Sequence, residues 1–244
     1  MTALQPPALI LAAGRGERMR PLTDQCPKPL LMVRGKPLIE WHLEALAAAG
    51  MREVVINTAW LEAQFPAALG DGSRWGLAIR YSHEGRDHGG ALETAGGIAH
   101  ALPLLTRDGD VHFWVVSGDV FIPDFDFPAA AAMRFATSRE VAHLWLVENA
   151  AHHPAGDFGI DAASGLAVAA PPRRTWASVG LFRAEMFAGI APGTRVALRP
   201  HLDAALAAER LGAEEWNGPW TDVGTIERLQ ALNADRCDTS NRRG

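Results

Sequence analysis

The sequence predicts an α/β fold, a mixed and mostly parallel central sheet with helices on both faces. Strand-like apolar runs alternate with helix-like segments along most of the chain. Several of those runs are apolar throughout, as strands covered on both faces must be. No repeat or low-complexity linker divides the 244 residues, of which 48% are hydrophobic. The chain is therefore read as a single domain over 1–235, with a loose tail at 236–244.

The elements follow in order. "ALILAA", Ala8 to Ala13, is a buried strand, and Gly14 ends it. "PLIEWHLEALAAAG", Pro37 to Gly50, starts on proline, ends on glycine and places Ile39, Leu43 and Leu46 on one face, the pattern of a helix. "EVVINTAW" is a strand, "LEAQFPAAL" a short helix or turn, and "LAIRYS", Leu77 to Ser82, a strand. A helix starts near Thr94, and "VHFWVVSGDV", Val111 to Val120, is a strand ending at Gly118-Asp119. "FPAAAAMRFATS" is a helix and "VAHLWLVE" a strand. From 149 to about 198 asparagine, proline and glycine cut the apolar pieces short, so hairpins and loops forming a substrate subregion are expected there. "PHLDAALAAERLG" and "GTIERLQALNAD" are the closing helices.

The loop after the first strand, "LAAGRGERMRPLTDQCPKPL", is glycine-rich and cationic. It lacks the third glycine of the dinucleotide fingerprint, where Met19 stands, and Pro21 opposes a helix running through it. It also lacks the lysine and hydroxyl that follow the last glycine of a P-loop. Six cations lie between Gly14 and Lys36 against two acids, in a chain of formal net charge -5. That balance disfavours nucleic acid and anionic membrane as partners and suits a small, highly charged anion bound locally. Only Lys28 and Lys36 are lysines among 23 basic residues. A compact ammonium at Lys28 fits a phosphate better than a surface role would require.

Asp119 and Asp222 each follow a strand-like segment, where α/β sheets bind ligands. Either one alone is equally a turn or capping aspartate. Together with the cationic loop they point to a magnesium–phosphate site, since Mg²⁺ takes one or two carboxylates plus phosphate oxygens and water. Cys26 and Cys237 form no metal or disulfide pattern, and the nine histidines, including His152 and His153, show no ligand spacing. No signal peptide or membrane-length apolar run is read, so a cytoplasmic location is expected.

The loop resembles the G-x-G-x-R-x-x-P-L-T…P-K-P-L motif of the sugar-1-phosphate nucleotidyltransferases. "LETAGGI", "SGDV" and "WTDVGT" resemble further motifs of that family, and the likeness runs from Ala8 to about Ala234. It implies a Rossmann-like three-layer sandwich, the nucleotide-diphospho-sugar transferase fold. Ala12, Ala13, Gly14, Arg15 and Gly16 would wrap the nucleotide, with Glu93, Thr94 and Gly96 contacting the nucleoside. Arg18 would grip the triphosphate, Lys28 would approach the α-phosphate, and Asp119 and Asp222 would hold Mg²⁺. Arg18, Lys28 and Asp119 form the catalytic set. Glu148 and Gly159 would meet the sugar phosphate, although Asn149 and Ala150 replace a lysine-bearing stretch that many relatives carry there. The implied partners are a nucleoside triphosphate and a sugar 1-phosphate, in a monomer or small homo-oligomer.

"INTAWL", "GDGSRWGLAIRYS" and "HHPAGDFGI" resemble the uridylyltransferases of bacterial cell-wall recycling, which implies UTP and N-acetylmuramic acid 1-phosphate as substrates. Guanylyl transfer to mannose 1-phosphate and a non-catalytic nucleotide-sugar-binding subunit are the alternatives. The lactyl carboxylate of muramic acid needs a donor or cation, and His152, His153, Arg173 and Arg174 are the candidates in the irregular region.

Overall fold

A computed structural model of the chain describes residues 5–107, 109 and 111–234. The tail at 236–244, with Cys237, lies outside the described residues. The strands are β1 (Ala8–Leu11), β2 (Met32–Val33), β3 (Lys36–Pro37), β4 (Glu53–Thr58), β5 (Ala78–His83), β6 (His112–Ser117), β7 (Val120–Phe121), β8 (Ala142–Val147), β9 (Gly159–Ile160), β10 (Ala167–Val168), β11 (Thr175–Arg183), β12 (Leu211–Glu215) and β13 (Thr221–Asp222). The helices are α1 (Leu22–Gln25), α2 (Leu38–Ala48), α3 (Gln64–Leu69), α4 (Glu84–His88), α5 (Glu93–Leu105), α6 (Ala129–Thr137), α7 (Arg199–Ala207) and α8 (Ile226–Ala234).

Seven strands form the central sheet in the order β12-β8-β11-β6-β1-β4-β5. All neighbours pair in parallel except β11, which runs antiparallel to both β6 and β8. This is the mixed, mostly parallel sheet that the sequence predicts. Successive residues of β1 face opposite layers, as the period of a strand requires. Ala8 and Ile10 pack with Leu43 and Leu46 of α2 and Phe135 of α6. Leu9 packs with Ile98 of α5 and Leu202 of α7 on the other face. Each fully buried leucine or phenylalanine in these layers contributes about 1.5–3 kcal/mol. A third, smaller cluster joins Met19, Val33, Leu38, Phe121, Val223, Leu229 and Leu232. It ties the cationic loop, the β7–β13 pair and α8 into one unit.

Three sequence expectations are corrected. β1 ends at Leu11 rather than Ala13, because the Ala12 amide donates to the Asn57 side chain (2.7 Å) and leaves the ladder. The strand expected over Val111–Val120 is two strands, β6 and β7, separated at Gly118-Asp119. The irregular region expected from 149 to 198 contains β11, a nine-residue strand in the middle of the sheet. Its period is broken at Ser178, which has φ 60°, and the register against β8 shifts between Trp176 and Gly180. That bulge scrambles the alternation by which a strand is recognised.

Because β11 is reversed, its first residue, Thr175, pairs with Val147 at the end of β8. The excursion from Glu148 to Arg174, which holds the β9–β10 hairpin, therefore leaves and re-enters the sheet at one rim. Asn149 closes its neck: the Asn149 amide donates to the Pro154 and Arg173 carbonyls, and the Thr175 hydroxyl donates to Asn149 Oδ1.

Candidate active site

The parallel strands β1, β4 and β6 end along one edge of the sheet, at Leu11, Thr58 and Ser117. A cavity of about 360 Å³ opens there. Ala12, Ala13, Gly14, Gly16, Lys28, Glu93, Thr94 and Asp119, all expected at the site, line it together. Asn57, Glu84 and Arg195 line it as well and were not foreseen.

The loop is built to present its backbone. Gly16 adopts φ 66°, which turns the chain into a short 3₁₀ segment, Glu17–Met19. Met19 is fully buried and pins that segment from beneath. The Thr23 hydroxyl donates to the Gly16 carbonyl (2.9 Å), and the Trp60 indole donates to the Thr23 carbonyl (2.7 Å). The Arg15 guanidinium lies 4.3 Å from the Trp60 ring centroid. Arg15 thus stacks on the loop's outer brace and does not line the cavity.

Lys28 is nearly buried, and its ammonium donates to Asp119 Oδ2 at 2.6 Å. The Ser117 hydroxyl donates to the other oxygen, Oδ1, at 2.6 Å. Burial alone would raise the Asp119 carboxyl, but Lys28 and Ser117 outweigh it and hold it below the usual carboxylate range. Asp119 is therefore an ionised carboxylate facing the cavity.

The opposite wall rests on a buried carboxylate. Glu84 is fully inaccessible to solvent. It accepts from Asn57 Nδ2 at 2.6 Å and from the Leu92 amide at 2.7 Å, while Asn57 Oδ1 accepts from the Ala12 amide. One chain of hydrogen bonds thus joins both loops of the cavity. Burial raises the Glu84 carboxyl, and the Leu92 and Asn57 donors oppose that. Gly97 makes the approach possible, since a Cβ there would stand 2.5 Å from Glu84 Oε1.

Glu93 has φ 64°, an uncommon state for a non-glycine residue. A neighbouring segment fixes it. The Val196 amide donates to the Leu92 carbonyl, and the Val196 carbonyl accepts from the amides of Ala95 and Gly96. Gly96 therefore stands outside the cavity, with its amide spent on Val196; a Cβ on it would meet the Thr194 carbonyl at 2.3 Å. Arg195, from the same segment, reaches the cavity rim 3.7 Å from Glu93.

A second cavity, of about 460 Å³, adjoins the β7–β13 pair. Glu148, Asn149, His152, Trp216, Trp220, Asp222 and Arg228 line it. Asp222 and Asp119 are joined through paired strands: Asp222 faces Val120 in the register, and the Val223 amide donates to the Asp119 carbonyl at 2.8 Å. Asp222 Oδ1 accepts from Arg228 and lies 3.5 Å from His152 Nε2. Arg18 reaches the same turn, with Nη2 3.5 Å from where a Cβ on Gly224 would stand. Gly159 lies in neither cavity; it sits in the β9–β10 hairpin, where a Cβ would meet the Ala170 carbonyl at 2.3 Å. His153 pairs with Asp157, Arg174 with Glu215, and Arg173 donates to the Ala169 carbonyl. Of the candidates for a carboxylate partner only His152 faces the second cavity.

Asp119 and Asp222 offer hard oxygen donors at adjoining strands, which fits a divalent ion that completes its shell from substrate phosphates and water. Among the described residues no group of three or more histidines, cysteines and carboxylates gathers as a metal site. The arrangement is that of an enzyme acting on phosphate esters: a cationic backbone cradle, a lysine and two carboxylates at the carboxyl ends of strands.

The chain belongs to the nucleotidyl transferase family, whose profile matches residues 7–239. It is 50% identical over 230 residues to the N-acetylmuramate alpha-1-phosphate uridylyltransferase of Neisseria meningitidis serogroup B, a match covering 93% of this chain and 96% of that one. It is 40% identical over 119 residues to the protein of the same name from Caulobacter vibrioides, covering 49% of this chain and 45% of that one. A Bacillus anthracis structure assigned as a glucose-1-phosphate thymidylyltransferase shares the fold with a TM-score of 0.78, at 22% identity, covering 95% of this chain and 94% of that one. No helix among the described residues is long and apolar enough to cross a membrane.

Proposed function

We propose that the chain transfers a uridylyl group from UTP to N-acetylmuramic acid 1-phosphate, giving UDP-N-acetylmuramic acid and pyrophosphate, a step of peptidoglycan recycling. The observation that carries this reading is the 50% identity with the Neisseria meningitidis enzyme along nearly the full length of both chains. A phosphate oxygen of the sugar phosphate bonds to the α-phosphorus of UTP. The bond from that phosphorus to the bridging oxygen breaks, and pyrophosphate leaves with the electron pair.

The nucleophile is already an anion, so the reaction needs no strong base. It needs two anions brought together in line. In our reading the amides of Ala12 to Gly16 hold the triphosphate, and Glu93, Thr94 and Arg195 bound the nucleoside. Lys28 turns from Asp119 to the α-phosphate and offsets the charge that grows there. Arg18 meets the pyrophosphate from the turn after β13. Asp119 and Asp222 would hold a divalent ion, magnesium, which when bound would supply neutralisation of phosphate charge. Glu148, Trp220 and Arg228 bound the acceptor. The backbone pairing that sets Asp222 beside the Asp119 turn supports their acting together.

Pyrophosphate release measured for UTP and GTP against the 1-phosphates of N-acetylmuramic acid, N-acetylglucosamine, glucose and mannose tests the reading. UTP with the muramic acid derivative is expected to give the highest kcat/KM, with activity abolished by excess EDTA. A clear preference for GTP with mannose 1-phosphate would refute it.

A further inference from the structure

The second cavity holds a cation to which the transfer step just described gives no chemical role. Arg228 lies in the first turn of α8, and its guanidinium enters the cavity across Gly224. A Cβ at 224 would stand 2.9 Å from Arg228 Nη1, so the glycine gives the guanidinium its passage. Arg228 and His152 converge on a single acceptor, Asp222 Oδ1. Arg228 donates to that oxygen and His152 stands 3.5 Å from it, and Asp222 is the residue assigned above to the ion. Trp216 and Trp220 supply apolar walls beside them. The Trp220 indole is fixed by donation to the Ala177 carbonyl (3.0 Å), so this wall is rigid. Arginine is the side chain whose planar fork matches a carboxylate through two parallel hydrogen bonds.

We propose that Arg228, with His152 beside it, is the specificity determinant for the acceptor: it recognises a carboxylate carried by the sugar in addition to its phosphate. Asp222 engages one arm of the guanidinium, Nη1, and so marks where a carboxylate meets it. The inference rests on the acceptor reading above and deepens it. It assigns the lactyl carboxylate of muramic acid to a residue of α8, outside the irregular region 149–198 that the sequence offers for it.

The test compares ligands that differ only at the lactyl ether. UDP-N-acetylmuramic acid, its lactyl methyl ester and UDP-N-acetylglucosamine are titrated calorimetrically against the wild-type protein, R228M and R228K. The kcat/KM values for the corresponding sugar 1-phosphates are measured beside them. The wild type is expected to bind the free acid 10- to 100-fold more tightly than the ester, a range that follows from loss of a charge-assisted hydrogen bond. R228M should abolish that ratio, and R228K should retain part of it. The acid-to-ester ratio in the wild type needs no variant to fold. Equal loss for acid, ester and N-acetylglucosamine ligands in R228M would overturn the inference, because Arg228 would then only orient Asp222 or hold the phosphate. A wild-type preference for the acid that survives in R228M would overturn it as well, while leaving the acceptor reading intact. A wild type that does not distinguish the muramic acid compounds from their N-acetylglucosamine counterparts would overturn both.

Discussion

Replacing Glu84 by glutamine tests whether the buried carboxylate sets the geometry of the nucleotide loops. Both oxygens of Glu84 accept, one from Asn57 and one from Leu92, and the side chain is sealed from solvent. A glutamine offers one acceptor and an NH₂, so one of those donors must face another donor. A lost hydrogen bond to a charged, buried group costs about 1.5–3 kcal/mol. At about 2–4 °C per kcal/mol for a chain of this size, the melting temperature should fall by about 3–12 °C. The Ala12 and Leu92 amides lose their shared anchor, so KM for UTP should rise more than kcat falls. The reciprocal double variant N57D/E84Q restores every donor–acceptor match. The carboxylate introduced at position 57 would accept from the Ala12 amide and from the side-chain amide introduced at position 84. The carbonyl of that amide would accept from Leu92. Differential scanning calorimetry and UTP saturation curves on the two single variants and the double provide the assay. Recovery of at least half the loss in the double variant is expected. An E84Q protein that melts and binds UTP like the wild type, or a double variant worse than either single one, would refute the reasoning.

Four further outcomes are expected. Asp119→Asn and Asp222→Asn should each lower kcat at least about 100-fold, about 2.7 kcal/mol, in the pyrophosphate-release assay at saturating substrate. Lys28→Met should lower kcat more than it raises KM for UTP, because an ammonium at the α-phosphate acts most as the transition state forms; an unchanged kcat would relegate Lys28 to holding Asp119. Gly96→Ala should destabilise the protein and raise KM for UTP, since a methyl 2.3 Å from the Thr194 carbonyl forces the segment carrying Arg195 away from α5, visible in steady-state kinetics and melting together. His143 supplies a pH signature: burial lowers its imidazole, but the Nδ1 hydrogen bond to Glu140 (2.8 Å) and the nearby Glu214 carboxylate prevail and raise it to about 8. A group raised on folding stabilises fully below its unfolded value near 6.5 and loses that contribution as pH rises through about 8. Denaturation at pH 6 and pH 9 should therefore show His143→Gln costing up to about 2 kcal/mol more at the lower pH.

Local pattern made much of this molecule legible. β1, α2, β4 and β5 follow from apolar runs and end signals, and the glycine-cation loop signals an anion site because phosphate imposes both features at once. What stayed hidden depends on partners distant in sequence. Glu84 reads as an ordinary polar residue after a strand; only the fold brings Asn57 and Leu92 to its two oxygens. Gly96 reads as a glycine facing a ligand, yet the Thr194 carbonyl is what requires it. Arg228 looks like a solvated helical charge until Asp222 is placed beside it. β11 is masked because a single bulge at Ser178 breaks its alternation.

The reversed direction of β11 has an architectural consequence. The stretch from Glu148 to Arg174 begins and ends on neighbouring rungs of one ladder, where Val147 faces Thr175. Insertions into its exposed turns would leave the strand order beneath it unchanged, while Phe158 and Ala167 tie it into the core. The entropic cost of doubling its length is only about 0.6 kcal/mol. Asn149 and His152, which line the second cavity, lie on that stretch, whereas Lys28 and Asp119 line the first cavity at the ends of the central strands. Changes to the excursion can therefore reshape one wall of the second cavity, while Arg228 on α8 and the ends of the central strands stay in place.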